Sequence, residues 1–141
     1  MRSDAENPSA DDFFSLAERL EYATSESLAP LAEECRQSSV APETLALRKG
    51  LLDAIEIEII GTLLRPTETI PGYEILDVLG KGGMGVVYQA KQLNLGRTVA
   101  LKTVLVSRMG SASALSRFEL EARTVAQLQH PNIVGGYDFG R

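Results

Sequence analysis

The chain reads as an α+β fold: a twisted antiparallel sheet with one helix against it, preceded by a small helical segment. A glycine-rich turn at 80–85 lies between runs of β-branched and aromatic residues, and the apolar positions before residue 65 recur at helical spacing. Charge divides the same two regions. Residues 1–70 hold 6 Lys/Arg against 14 Asp/Glu, a net of −8, and residues 71–141 hold 8 against 5, a net of +3. Between them runs Arg65-Pro66-Thr67-Glu68-Thr69-Ile70-Pro71-Gly72, punctuated by proline. The expected division is therefore an acidic helical segment over 1–64, a linker over 65–72 and a second unit over 73–141.

In the front segment, Ser9-x-x-Asp12 can cap a helix that carries Phe13, Ala17 and Leu20. Leu28, Leu31, Ala32 and Cys35 mark a second helix, and Leu52, Ile55, Ile59 and Leu63 a third. The third is ambiguous, because Ile55-Glu56-Ile57-Glu58-Ile59 also alternates as a strand would. No catalytic constellation stands out here. The segment reads as an amphipathic regulatory or partner-binding unit.

The second unit carries Leu79-Gly80-Lys81-Gly82-Gly83-Met84-Gly85-Val86-Val87. A G-x-G-x-x-G pattern also marks dinucleotide-binding folds, but there a helix begins at the glycines and an acidic residue follows about 20 positions on. Here the glycines lead into Val86-Val87-Tyr88-Gln89-Ala90, a turn at Asn94-Leu95-Gly96-Arg97, and Thr98-Val99-Ala100-Leu101-Lys102-Thr103-Val104. That is strand, turn, strand. A phosphate-binding P-loop fails as well, since Gly85 is followed by Val86-Val87 where Lys and Ser/Thr are required. In a hairpin, glycines without Cβ atoms let the backbone lie against a triphosphate and offer its N–H groups.

Taken with Val99-Ala100-Leu101-Lys102, Phe118 to Ala122 and His130-Pro131-Asn132-Ile133-Val134, the stretch resembles the N-lobe of bacterial, eukaryotic-like serine/threonine protein kinases. The resemblance covers residues 71–141. It implies ATP as nucleotide, with 79–87 enclosing it, Val87 and Ala100 against the adenine, and Lys102 on the α- and β-phosphates. Residues 113–129 have helical spacing in Phe118, Ala122, Val125 and Gln129, with Ser116-x-x-Glu119 as a capping box, and match the family's αC helix. Glu119 and Glu121 lie about 200° apart on such a helix, so only one can face the lysine strand. The family's Phe-x-x-Glu-Ala pattern selects Glu121 as the partner that positions Lys102.

His130 and Asn132 read as turn-anchoring residues, since proline disfavours helix at the residue before it. Asp138-Phe139-Gly140 spells a kinase magnesium motif, but no His-Arg-Asp loop precedes it and it lies only 36 positions after Lys102. Asp138 is expected in a turn after a fourth strand. No metal ligand is assigned in this chain. The resemblance puts the catalytic base and the Mg2+ ligands beyond Arg141.

A hydrophobic content of 44% suffices for a core, and the single Cys35 excludes an internal disulfide and suits a reducing cytoplasm. The acidic front argues against nucleic acid as a partner. No apolar stretch follows Met1-Arg2-Ser3-Asp4-Ala5-Glu6 that would serve as a signal peptide or membrane segment. Two functions follow from the resemblance. One is transfer of the ATP γ-phosphate to Ser or Thr of protein substrates, with a regulatory protein docking on 1–64. The other is a truncated, catalytically inactive kinase-like module that binds another protein.

Overall fold

Ser9 and Asp53 each start a helix in the same way. The Ser9 hydroxyl accepts from Asp12 N at 3.2 Å and the Asp12 carboxylate accepts from Ser9 N at 2.8 Å, while Asp53 and Glu56 make the same exchange at 2.8 and 3.0 Å. Two otherwise orphaned N–H groups are thus satisfied at each helix start. Those bonds hold the Asp12 carboxyl below the usual aspartate value. The computed structural model describes residues 7–82 and 85–104, with Ser116, Leu120 and Arg123 beyond them. Its elements are α1 Ala10–Arg19, α2 Ser25–Gln37, α3 Pro42–Arg48, α4 Ala54–Leu64, β1 Tyr73–Lys81, β2 Gly85–Gln92 and β3 Arg97–Val104.

Three helices lie where the apolar spacing predicts them. The ambiguous isoleucine stretch is α4, a helix and not a strand, because its capping box opens a helix and its burial has helical character: Ile59 and Ile60 are both fully buried. Neighbours in a strand would point to opposite faces, whereas helical neighbours lie about 100° apart and can serve two cores at once. α3 was not expected. It spans 7 residues, starts on Pro42 with no side-chain cap, and buries only Leu45 and Ala46, too short a pattern to show a period.

β1, β2 and β3 pair antiparallel in that order. The β2–β3 turn closes through Gly96 N to Gln92 O at 2.7 Å, with Gly96 at φ +65°, a left-handed conformation that glycine adopts without penalty. β1 carries two register shifts, between Ile75 and Asp77 and between Val78 and Gly80. Leu76 and Leu79 are the extra residues, and both are exposed.

Two apolar clusters share α4. Ile60 joins Phe13, Phe14, Ala17, Leu28, Leu31 and Leu45 among the helices, while Ile59 joins Tyr73, Ile75, Val86, Tyr88 and Ala90 on one face of the sheet. Leu20 and Tyr22, from the end of α1, pack against the second cluster. Tyr88 and Thr62 share a hydrogen bond, so the buried polar atoms between α4 and β2 satisfy each other. Residues 65–72, expected as a linker, are bonded to β1 through Ile75 N to Pro66 O at 2.8 Å and Tyr73 N to Ile70 O at 3.2 Å. The helices therefore lie as a layer on one face of the sheet. Of the expected helix at 113–129, Ser116, Leu120 and Arg123 are helical and exposed. The remainder of it, with Glu119, Glu121, His130, Asn132 and Asp138, lies outside the described residues.

Candidate nucleotide-binding site

Strand alternation decides what the sheet offers on its other face. In β2, Val86, Tyr88 and Ala90 are buried under the helical layer, so Val87 and Gln89 point the opposite way. Directly paired residues share a face, and Val87 lies opposite Lys102 while Gln89 lies opposite Ala100. Val87, Ala100 and Lys102 therefore stand together on the face away from the helices, with Ala100 and Lys102 exposed. Three residues chosen from the sequence for one nucleotide meet on one surface.

The glycine loop forms the edge of that surface. Gly80 pairs with Val87 and Lys81 with Val86, and Gly82 N donates to Gly85 O at 2.9 Å to draw the loop closed. Gly83 and Met84 lie outside the described residues. Neither Gly80 nor Gly82 has a positive φ, and a Cβ built on either would meet nothing within 4 Å. The fold itself thus places no demand for glycine at these two positions. Close approach of a ligand to the backbone would. Leu79 is 59% exposed beside them, at the second register shift.

Two expected site residues turn elsewhere. Val86 is fully buried in the cluster with Ile59, so only its backbone is left to the nucleotide face. Adjacent strand residues cannot both point at one ligand, and Val87 holds that direction. The Lys81 side chain also leaves the nucleotide face. Its Nζ donates to Glu56 Oε1 at 2.8 Å and stands 4.4 Å from the centre of the Tyr22 ring. Burial pulls the Lys81 ammonium down, but the hydrogen bond and the charge of Glu56 outweigh it and leave the group above the ordinary lysine value. Burial likewise pushes the Tyr22 hydroxyl up, against the pull of Lys81. Sequence reasoning missed this contact. The Asp53-x-x-Glu56 box hints that Glu56 is held in place, but nothing local points to a partner 25 residues away.

A cleft of about 640 Å3 lies between α1, α4 and β1, lined by Leu16, Leu63, Leu64, Pro66 and Leu76 among others. Among the described residues, none of the glycine loop lines it, and the surface around Val87 and Lys102 is an open face rather than a closed pocket. Among the described residues no group of three or more His, Cys, Asp or Glu could hold a metal ion, and no helix is long and apolar enough to cross a membrane.

Residues 73–141 match the protein kinase domain. Over 68 residues, 48% of this chain, they are 47% identical to a probable serine/threonine-protein kinase of Streptomyces coelicolor, of which they cover 10%. Serine/threonine-protein kinase PrkC of Bacillus subtilis is 43% identical over 68 residues, with 48% of this chain and 10% of the relative covered. Serine/threonine-protein kinase pkn3 of Myxococcus xanthus is 36% identical over 69 residues, 49% of this chain and 13% of the relative. The chain thus spans about a tenth of the length of the curated relatives it matches. The three-stranded antiparallel sheet with its glycine loop and these matches together identify residues 73–141 as similar to the N-terminal region of a protein kinase domain.

Proposed function

We propose that residues 73–141 are the nucleotide-binding lobe of a serine/threonine protein kinase, which passes the γ-phosphate of ATP to a Ser or Thr hydroxyl of a protein substrate. The observation that carries this reading is the pairing of Val87 with Lys102 on the face away from α4, beside two glycines, Gly80 and Gly82, that the fold does not need. Val87 and Ala100 lie against the adenine, and the amides of Gly80, Gly82 and Gly85 cover the phosphates. Lys102 neutralises phosphate charge without forming a bond, as suits a reaction whose catalysis is positioning and electrostatics. Glu121 orients Lys102. Mg2+, when bound with ATP, neutralises charge that builds between the β- and γ-phosphates, and its ligands come from a second lobe. The use of ATP and the lone half-buried Cys35 support a cytoplasmic setting.

An open face supplies one wall of a site that normally encloses most of its ligand, so the 141-residue chain should bind ATP with a dissociation constant of about a millimolar or weaker. A nuclear magnetic resonance titration, following the amides of Gly80, Gly82 and Gly85, measures this. Gly80→Ala should weaken binding further while leaving thermal stability equal or slightly raised, since glycine in a strand is about 0.5–1 kcal/mol less favourable than alanine. Micromolar affinity, or Gly80→Ala binding as wild type does, would count against the reading.

A further inference from the structure

Lys81 sits between the first two glycines of the loop, yet its ammonium is held from the opposite side of the sheet. Glu56, which accepts it at 2.8 Å through Oε1, is itself pinned, because its Oε2 accepts from Asp53 N at 3.0 Å in the capping box of α4. The carboxylate therefore serves two donors and has little freedom to follow the loop if it moves. Its side chain is 16% exposed and that of Lys81 37%, so the pair is only partly screened by water.

Tyr22, beneath the same ammonium, is pinned as well. It follows α1 through a left-handed cap in which Glu21 N donates to Glu18 O at 2.9 Å and Tyr22 N to Ala17 O at 3.0 Å. α3 ends in the same arrangement, with Gly50 at φ +69° and Leu51 N donating to Ala46 O at 3.0 Å. In α1 the left-handed position is filled by Glu21 at φ +61°, a conformation that is strained for a non-glycine residue. That strain is sustained where the chain turns Tyr22 into the sheet cluster and under Lys81. An ammonium over an aromatic face and against a carboxylate is attracted by both.

We propose that Glu56 and Tyr22 hold Lys81 as a latch, through which the helical layer sets the position of the β1 arm of the glycine loop over the nucleotide phosphates. This rests on the nucleotide-binding reading above and extends it. Glu56, Tyr22 and Lys81 are positioning residues. Nucleotide affinity depends through them on a segment that does not touch nucleotide.

Glu56→Gln separates the latch from the helix cap, since glutamine also closes a capping box while losing the charge. Lys81→Met removes the cation, and Lys81→Arg keeps both the carboxylate pair and the ring contact. With the 141-residue chain, two readings are taken: backbone order at Gly80 and Gly82 without nucleotide, and ATP affinity by titration. Glu56→Gln and Lys81→Met should each lower loop order and weaken ATP binding about three- to fivefold, the scale of a partly exposed ion pair. The double variant should be no worse than either single one, and Lys81→Arg should stay within about twofold of wild type. Tighter ATP binding by Glu56→Gln would overturn the latch, since it would mean that freed Lys81 reaches the phosphates itself. Loop order lost with affinity unchanged would overturn the positioning role and leave the nucleotide site standing. No glycine-loop shift in wild type at saturating ATP would overturn both.

Discussion

Lys102→Met is expected to reduce phosphotransfer by about 10²-fold or more in a polypeptide that joins residues 1–141 to a complete C-terminal kinase lobe. Lys102 is exposed on the face it shares with Val87 and Ala100, where a cation faces arriving phosphate charge. Once a second lobe closes that face, the loss of one fixed positive charge acts in a medium far less forgiving than water. The fold should be untouched, because methionine has similar length and the position is exposed. Circular dichroism and thermal melting check the fold, and transfer of labelled γ-phosphate to a protein substrate checks the rate. A rate within about twofold of wild type would remove Lys102 from the nucleotide site.

Ile59→Ala should have the largest effect on stability, a loss of about 3 kcal/mol, as expected when a fully buried isoleucine is truncated and its neighbours relax only in part. Ile59 is 0% exposed and joins α4 to Tyr73, Ile75, Val86, Tyr88 and Ala90 of the sheet. Because the adjacent Ile60 belongs to the helical cluster, α4 is the shared wall of both cores. Helices and sheet should therefore unfold together, with Tyr88 and Phe13 resonances lost at one denaturant midpoint. A sheet that persists after the helices have melted would show that the layer is an independent unit resting on the lobe.

That coupling was not legible in the sequence, and the reasons differ residue by residue. The strands, the turn at Gly96 and the grouping of Val87 with Lys102 follow from short-range chemistry: β-branched runs, a glycine where φ is positive, and a motif with fixed spacing. Helix α1 follows from a capping box that announces itself three residues apart, whereas the apolar spacing of α4 also allows a strand until the Asp53–Glu56 box that opens it is seen. α3 escaped because seven residues hold too little period, and its cap is a proline at the first position rather than a side-chain acceptor. Val86 could have been placed from alternation alone. If Val87 faces the nucleotide, Val86 must face the other layer, and its full burial there shows that this second face is as much a core as the helices themselves. The Lys81–Glu56 contact had no such signal, since it joins residues 25 apart through the packing of a helix on a sheet. A charged residue inside a glycine loop reads as solvent-facing until the layer that receives it is known.

Nucleotide should meet the sheet face that carries Val87 and Ala100, and isotope-filtered nuclear Overhauser measurements between ATP and methyl-labelled chain test that placement directly. Protons of the adenine ring should show transfer to the methyl groups of Val87 and Ala100, which share the open face, and none to those of Val86 or Ala90, which lie in the cluster beneath α4. Transfer to Val86 or Ala90, or shifts confined to the helical layer with Val87 and Ala100 silent, would contradict it.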